Sequence, residues 1–576
     1  MASLPSRVPG ILVDTSLDRF DAVIVGSGAG GGIAARVLAT NGLKVCILEA
    51  GPNWFPGLDD PAPGNPRPIF SNDEIKASVR GFFSWQARVE PRSFRASEAD
   101  GPRGFVGSVN DLPRTVGGGW VIADMKTPRF AEFDFRMRTL LGDVAGASFA
   151  DWPLDYDELE PFYAATERLV GVQGQDGADP FAAPRSTPYP MPVGAPMYVS
   201  QLLSEGARRL GLHPFPYPAA VNSIPRDGRP ACNDCGFCSG YGCPINAKGS
   251  VAPLRAALLT GNVQLRSECK ATRLETDASG RRVVAVHYLD PDGRPASVSA
   301  DRVLLAASGI ESARLCLLSD PGGPGLGNSS GQLGRNLMFH FQTLAIGIYR
   351  QSLHGERGKS VSNGFSDFRG VPGDPDRPLG GIVEFGTNSE KIAEAKNYLI
   401  DTGQRGAALK SFLRSSPFGA HIAVMTMQGE DAPQPTNRID LDPDLRDVDG
   451  LPVPRITYQP HAMELAASRF YAPKLVDLHG KAGAQFAFIA PRYDGQPAPR
   501  TRHVLGTARM GDDPRSSVLD RWQKFHDLDN LWQVDGGAMP TGSGYNPTLT
   551  LQALSLRAAG AIVDPRHSDA VVEESS

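Results

Sequence analysis

"DAVIVGSGAGGGIAARVLATNGLKVCILEAG", residues 21–51, decides the fold of this chain. "AVIV" (22–25) is a short, wholly apolar run, as expected of a strand buried on both faces. Gly26, Gly28 and Gly31 follow at once with G-x-G-x-x-G spacing, and "IAARVLATNG" (33–42) has helical spacing that stops at a glycine. "KVCIL" (44–48) is a second buried strand, and it ends in Glu49. Strand, glycine turn, helix, strand and acid stand in the order a dinucleotide-binding unit needs. Gly26 permits the tight turn, Gly28 lets the backbone approach a pyrophosphate, and Gly31 lets helix and strand pack closely. The helix start offers free N–H groups and a positive dipole end to phosphates. Glu49, 23 residues after Gly26, can accept hydrogen bonds from ribose hydroxyls. The plain alternative is a glycine-rich turn in an empty α/β fold; the full context favours the nucleotide. Cys46, inside the second strand, reads as a small core residue.

The whole chain has 576 residues, more than one hydrophobic core organises, so two domains or a core with a second lobe are expected. A net charge of −5 gives no footing for nucleic-acid binding or an anionic membrane surface. The longest apolar runs, such as Val303–Ala307, are strand-sized, so no transmembrane segment is expected. "MASLPSRVPGILVDTS" (1–16) reads as a loose arm and not a signal peptide. The odd total of seven cysteines fits a reducing compartment. The cytoplasm is therefore the default location, with export alongside a signal-bearing partner left open. Residues 51–67 and 174–194 read as loops, the last dozen residues as a frayed tail, and no internal repeat is visible.

The glycine motif alone does not separate FAD from NAD. A second glycine loop, "RTVGGGWVIADMKTPRF" (114–130), holds Gly117, Gly118 and Gly119. "LLAASGIESARLCLLS" (304–319) runs from a strand through a glycine into a helix. Residues 503–563 open with "HVLGTARMG" and continue through "VDGGAMP" and "GYNPTLT". In order, these stretches resemble the glucose–methanol–choline (GMC) oxidoreductases, which bind FAD. Three further segments are similar to the flavoprotein subunits of bacterial sugar and polyol dehydrogenases: "DWPLDYDELEPFYAATERLVGVQG", "GEDAPQPTNRIDLDPDLRDVDGLPVPRITY" and a cysteine-rich run. The resemblance implies an α/β fold with an α+β substrate lobe. A discontinuous, Rossmann-like FAD-binding domain would gather 15–135, 200–335 and 500–565. An antiparallel-sheet substrate-binding domain would take 136–199 and 336–499, with 566–576 as the tail. Independently, three segments between Val263 and Ala307 read as a β-meander leading back into the FAD sheet. Trp120 departs from the family's small or hydroxyl residue, and Ala123 and Asp124 stand near its usual Asn or His. With no histidine in this loop, the expectation is non-covalent FAD.

Oxidising an alcohol with a flavin removes a proton from the hydroxyl and a hydride from the carbon. The protein must supply a base with a pKa near neutrality, and histidine suits that role. The resemblance assigns it to His503, with Asn546 aiming the hydroxyl. It sets Asp535, Gly536 and Pro547 beside the cofactor, where a plain turn is the bland alternative. His340 in "GRNLMFHFQ" resembles a family histidine near the cofactor edge, and Glu430 and Asp431 read as shaping the substrate lobe.

The remaining motif is Cys232-x2-Cys235-x2-Cys238-x4-Cys243-Pro244. Bacterial ferredoxins use a run one residue shorter before the last cysteine. Four readings stand open: an iron–sulfur cluster, a structural zinc, one or two disulfides, or free thiols. Related dehydrogenase subunits carry a cysteine-rich segment here, and some hold a cluster in it. A cluster would pass electrons singly to a partner such as a cytochrome subunit, a small accessory subunit or a quinone, which argues for a dehydrogenase. Cys269 and Cys316 read as core residues. The expected function is FAD-dependent oxidation of a sugar, polyol or other alcohol. The rivals are an oxygen-reducing oxidase with structural cysteines and a non-redox lyase on the same fold.

Overall fold

The computed structural model describes residues 19–61, 65–68, 89–386, 405–411, 421–490 and 501–564, less residues 108, 111, 237, 239–241, 356, 360, 409 and 410. The expected N-terminal arm and C-terminal tail lie outside these residues.

β1 (Arg19–Val25) and β2 (Val45–Glu49) flank α1 (Ala29–Thr40), as the opening motif requires. They pair in parallel, and β2 is buried along its whole length. β3 (Val263–Ser267) extends the parallel sheet beyond β2. On the other side comes β6 (Pro295–Leu305), parallel to β1. The start of β6 instead pairs antiparallel with β5 (Val283–Leu289), which pairs with β4 (Lys270–Thr276). The short strand Leu531–Gln533 closes the sheet against the end of β6. The sheet thus draws on residues near both ends of the chain. The expected meander is corrected in one respect. "VQLRSECKATRLETD" is not one strand, because Glu268 takes a left-handed φ of +57° that ends β3, and only β4 joins the antiparallel arm.

α1 packs against α4 (Ala252–Leu258) and α7 (Thr548–Val563). Two glycines let α1 sit close against the glycine turn and the end of the last strand. A Cβ on Gly30 would lie 1.8 Å from the Val534 carbonyl oxygen, and one on Gly31 would lie 2.1 Å from that of Gly26. Ser555 Oγ donates to the Gly30 carbonyl at 2.8 Å.

The second sheet is antiparallel throughout: β11 (Phe486–Ile489), β7 (Phe341–Ile348), β10 (Ile422–Gly429), β9 (Val383–Gly386), β8 (Val361–Phe365) and Phe215–Pro216. Two helices in mutual contact pack on it, α3 (Tyr198–Arg209) and α6 (Ala462–Lys481). A third sheet, not foreseen, pairs Arg438–Arg446 and Pro452–Thr457 with Arg92–Arg95 and Phe105–Gly107. Among the described residues no helix is long and apolar enough to cross a membrane.

Candidate active site

One cavity of about 430 Å³ runs from the glycine turn to the antiparallel sheet. Of the sequence-assigned residues, Gly26, Gly28, Glu49, Gly118, Gly119, His503, Asp535, Gly536, Asn546 and Pro547 line it. Gly31 and Gly117 stand behind the wall. Gly31 serves the helix–strand contact, and the Gly117 N–H donates to Ser27 Oγ at 3.0 Å. Gly117 (φ +86°) and Gly118 (φ +57°) turn the second glycine loop onto the first.

At one end, the buried Glu49 carboxylate accepts from the Ser27 N–H (3.1 Å), Ser27 Oγ (2.6 Å) and the Gly51 N–H (2.8 Å). Burial raises its pKa, against those bonds and the nearby Arg114 charge. The surrounding wall is dense in charge. Lys270 Nζ contacts Glu90 (2.5 Å), Asp447 (2.7 Å) and Asp449 (2.8 Å), so this carboxylate trio holds an ammonium. Halfway along, Asp535 accepts from Ser312 Oγ (2.5 Å), Gln533 Nε2 (2.8 Å) and the Gly537 N–H (2.9 Å).

At the other end, His503 and Asn546 share the wall with Trp120, Ala123, Asp124, Lys126, Gln342 and Gln428. Asn546 and Pro547 bring the start of α7 to this end, with its unpaired N–H groups and positive dipole end. Asn546 Oδ1 accepts from Tyr217 O–H at 2.5 Å, which turns its amide N–H groups away from the tyrosine. His503 Nδ1 lies 2.6 Å from His340 Nδ1. Burial first, then repulsion from any proton shared with His340 and from the Lys126 ammonium, push the His503 pKa well below 6.5, so the ring is neutral at pH 7. Lys126 Nζ contacts Glu384 (2.5 Å) and Asp124 (3.1 Å). Burial would lower its pKa, but those carboxylates prevail and hold it protonated. Gln342 on β7 faces Gln428 on β10 in register, and its Nε2 donates to Gln428 Oε1 at 3.1 Å.

Sequence reasoning missed Lys126, Tyr217, Gln342, Glu384 and Gln428, and it underweighted His340. Gln342 alone had a local signal: it follows His340 by two positions at the start of a strand. Glu430 and Asp431 lie fully buried off the cavity. Glu430 pairs with Arg369 at 3.0 Å, and Asp431 Oδ2 accepts from the Phe339 N–H at 2.5 Å.

The residues present fit FAD. An acid stands where a ribose would bind, a helix start and glycine backbone stand beside it, and a neutral histidine and an amide lie at the far end.

The seven cysteines form no disulfide in this structure. Among the described residues, no three of the four clustered sulfurs lie within 4.8 Å of one another. Burial raises Cys232 to about 11 and Cys238 to about 12.

Family models for GMC oxidoreductases match residues 154–342 and 433–555. The fructose dehydrogenase large subunit of Gluconobacter japonicus is 30% identical, over 94% of this chain and 98% of that protein. Paromamine 6'-oxidase of Streptomyces fradiae is 32% identical, over 94% and 91%. A formate oxidase from Aspergillus oryzae has the same fold, with a TM-score of 0.62 at 14% identity, covering 96% of this chain and 99% of that one. The chain belongs to the GMC oxidoreductase family, whose members are FAD-dependent oxidoreductases acting on CH–OH donors.

Proposed function

We propose that this chain oxidises a CH–OH group of a sugar, polyol or related alcohol as a dehydrogenase using non-covalent FAD. The observation carrying this reading is the pairing of a neutral His503 with Asn546 on the wall of the cavity that Glu49 and the glycine turn begin. His503 takes the hydroxyl proton as a general base, which burial favours by keeping the ring unprotonated before substrate arrives. Asn546 donates an amide N–H to the same oxygen. Bound FAD would supply the hydride acceptor. Gln342, Gln428, Asp124 and the Lys126–Glu384 pair offer donors and acceptors suited to a molecule with several hydroxyls.

For the cysteine loop we propose an iron–sulfur cluster held by Cys232, Cys235, Cys238 and Cys243, which would carry electrons singly toward a protein or quinone acceptor. Its support is the charge around the loop. Lys248 is fully buried, and its ammonium bonds only backbone carbonyls: Val121 (3.3 Å), Ala123 (2.6 Å) and Cys238. Lys359, also buried, donates to Gln173 Oε1 at 3.2 Å. The buried guanidinium of Arg229 makes no hydrogen bond among the described residues, with Asp227 at 3.6 Å as its ion pair. Buried cations with so little anionic compensation are costly unless a negative group sits among them. Two sulfurs already accept backbone N–H bonds, Cys232 from Asp234 (3.4 Å) and Cys243 from Ala247 (3.2 Å), and such donors suit the negative charge of a cluster. Lys248 also ties this loop to Ala123 on the cavity wall.

The test is an absorption spectrum and iron assay on the purified protein, followed by anaerobic addition of polyols and sugars. Flavin that bleaches, iron in stoichiometric amount and little peroxide in air are expected. Flavin that never bleaches would favour the lyase rival, and rapid peroxide formation without iron would favour the oxidase.

A further inference from the structure

We propose that His340 is a positioning residue that fixes the proton of His503 on Nδ1, leaving Nε2 as the bare nitrogen available to substrate. The inference rests on the reading of His503 as the base and assigns the device that makes it one.

The argument is a count of protons along a chain of contacts. His340 Nε2 lies 2.9 Å from the Ser543 carbonyl oxygen and 3.1 Å from that of Gly542. Carbonyls only accept, so this nitrogen carries a hydrogen. His340 is fully buried, and burial lowers its pKa to about 4, so at pH 7 it holds that one proton and its Nδ1 is a lone pair. That lone pair faces His503 Nδ1 at 2.6 Å. Two lone pairs would repel at this separation, so the hydrogen between the rings belongs to His503 Nδ1. A neutral histidine has a single ring hydrogen, so His503 Nε2 is unprotonated. The other charged groups facing the pair are Lys126 toward His503 and Arg369 toward His340. Both are cations, and both disfavour a second proton on either ring.

The carbonyl that starts this chain is itself held in place. Ser543 is a non-glycine residue at φ +61°, a left-handed conformation that persists only when its surroundings enforce it. Its Oγ donates to Asp134 Oδ2 at 2.7 Å. Asp134 pairs with the buried Arg369, which also contacts Glu430 at 3.0 Å. His340 is gripped on its backbone side too, where its N–H donates to Thr501 Oγ1 at 3.2 Å. A buried scaffold that merely filled space would not need two carbonyls directed at one imidazole nitrogen.

The experiment is nitrogen-15 NMR of the histidine-labelled holoenzyme at pH 7, with His503→Asn to assign the ring, beside kinetics of two His340 variants. The native spectrum is expected to show His503 protonated on Nδ1 and bare on Nε2. His340→Leu should populate the opposite tautomer and lower kcat about 10²-fold with little change in KM, the scale of a misaligned general base. His340→Asn, which returns an acceptor near the lost Nδ1, should recover at least part of both. A native His503 protonated on Nε2, or a His340→Leu enzyme with unchanged tautomer and kcat, overturns the proposal. Should the leucine variant not fold, the native spectrum and the asparagine variant decide. An active His503→Asn enzyme would instead defeat the base assignment, whatever the tautomer.

Discussion

Tyr217 donates its hydroxyl to Asn546 Oδ1 at 2.5 Å, from a position 329 residues earlier in the chain. The bond occupies the amide's acceptor and leaves its donors for substrate. Tyr217→Phe should therefore let the amide rotate. Loss of one hydrogen bond of this kind is worth about 1 kcal/mol, so kcat/KM should fall roughly 5- to 10-fold in a folded enzyme. Steady-state kinetics with circular dichroism on the same sample checks it, and an unchanged kcat/KM would mean that the tyrosine does not orient the amide.

Substitution of His503 by Asn should reduce the rate of flavin reduction by about 10²–10⁴-fold while FAD stays bound. Anaerobic stopped-flow absorbance reads both quantities at once.

The base must be neutral to act, and burial with the nearby positive charge holds its pKa well below 6.5. The acid limb of kcat/KM should accordingly fall well below pH 6.5, with a plateau on the alkaline side. Lys126→Met removes one of the cations that depress His503 and should move this limb to higher pH. A limb that stays put would show that Lys126 does not act on the histidine.

His340 and His479 are buried rings whose pKa values burial lowers to about 4. His479 Nε2 lies 3.2 Å from the Ala345 carbonyl, and its Nδ1 lies 2.9 Å from the Tyr349 hydroxyl, so it too is held neutral. Below pH 6.5 the unfolded chain takes up protons that the native state refuses. Stability should then drop as pH falls from 6.5 to about 4, by up to about 3 kcal/mol for each ring, and flatten below that. Denaturant unfolding across that window measures it, and replacing His479 with an uncharged residue should shrink the slope.

A Cβ on Gly118 would lie 2.9 Å from Gly28 Cα, at a φ of +57° that a side chain tolerates poorly. Gly118→Ala should force the two glycine loops apart and weaken FAD retention more than it lowers the melting temperature. Flavin content after gel filtration is the readout.

The nucleotide end was legible in the sequence because its determinants are local. Gly26, Gly28, Gly31 and Glu49 fall within one strand–helix–strand unit, and each role follows from spacing. His503 and Asn546 were legible only through the family resemblance, since neither carries a local signal. What orients them was not legible at all. His340 meets His503 across 163 residues, and Tyr217 reaches Asn546 across 329, from beside the edge strand Phe215–Pro216 of the antiparallel sheet. Such partners are chosen by how β7, β8 and the loop before α7 come together, and no period of two or 3.6 reports that. The third sheet escaped for the same reason, because Arg455 pairs with Ser93 in register from the far side of the chain.

The clasp between α1 and α7, closed by Ser555 on the Gly30 carbonyl, has a bearing on biosynthesis. The first strand leaves the ribosome with none of its later neighbours made, and the cradle for the nucleotide stays open until α7 follows, because Ser555 lies 525 residues after Gly30. Stable cofactor loading should then wait for α7, and a chain lacking that helix would keep the glycine turn and Glu49 but lose the helix that packs behind them.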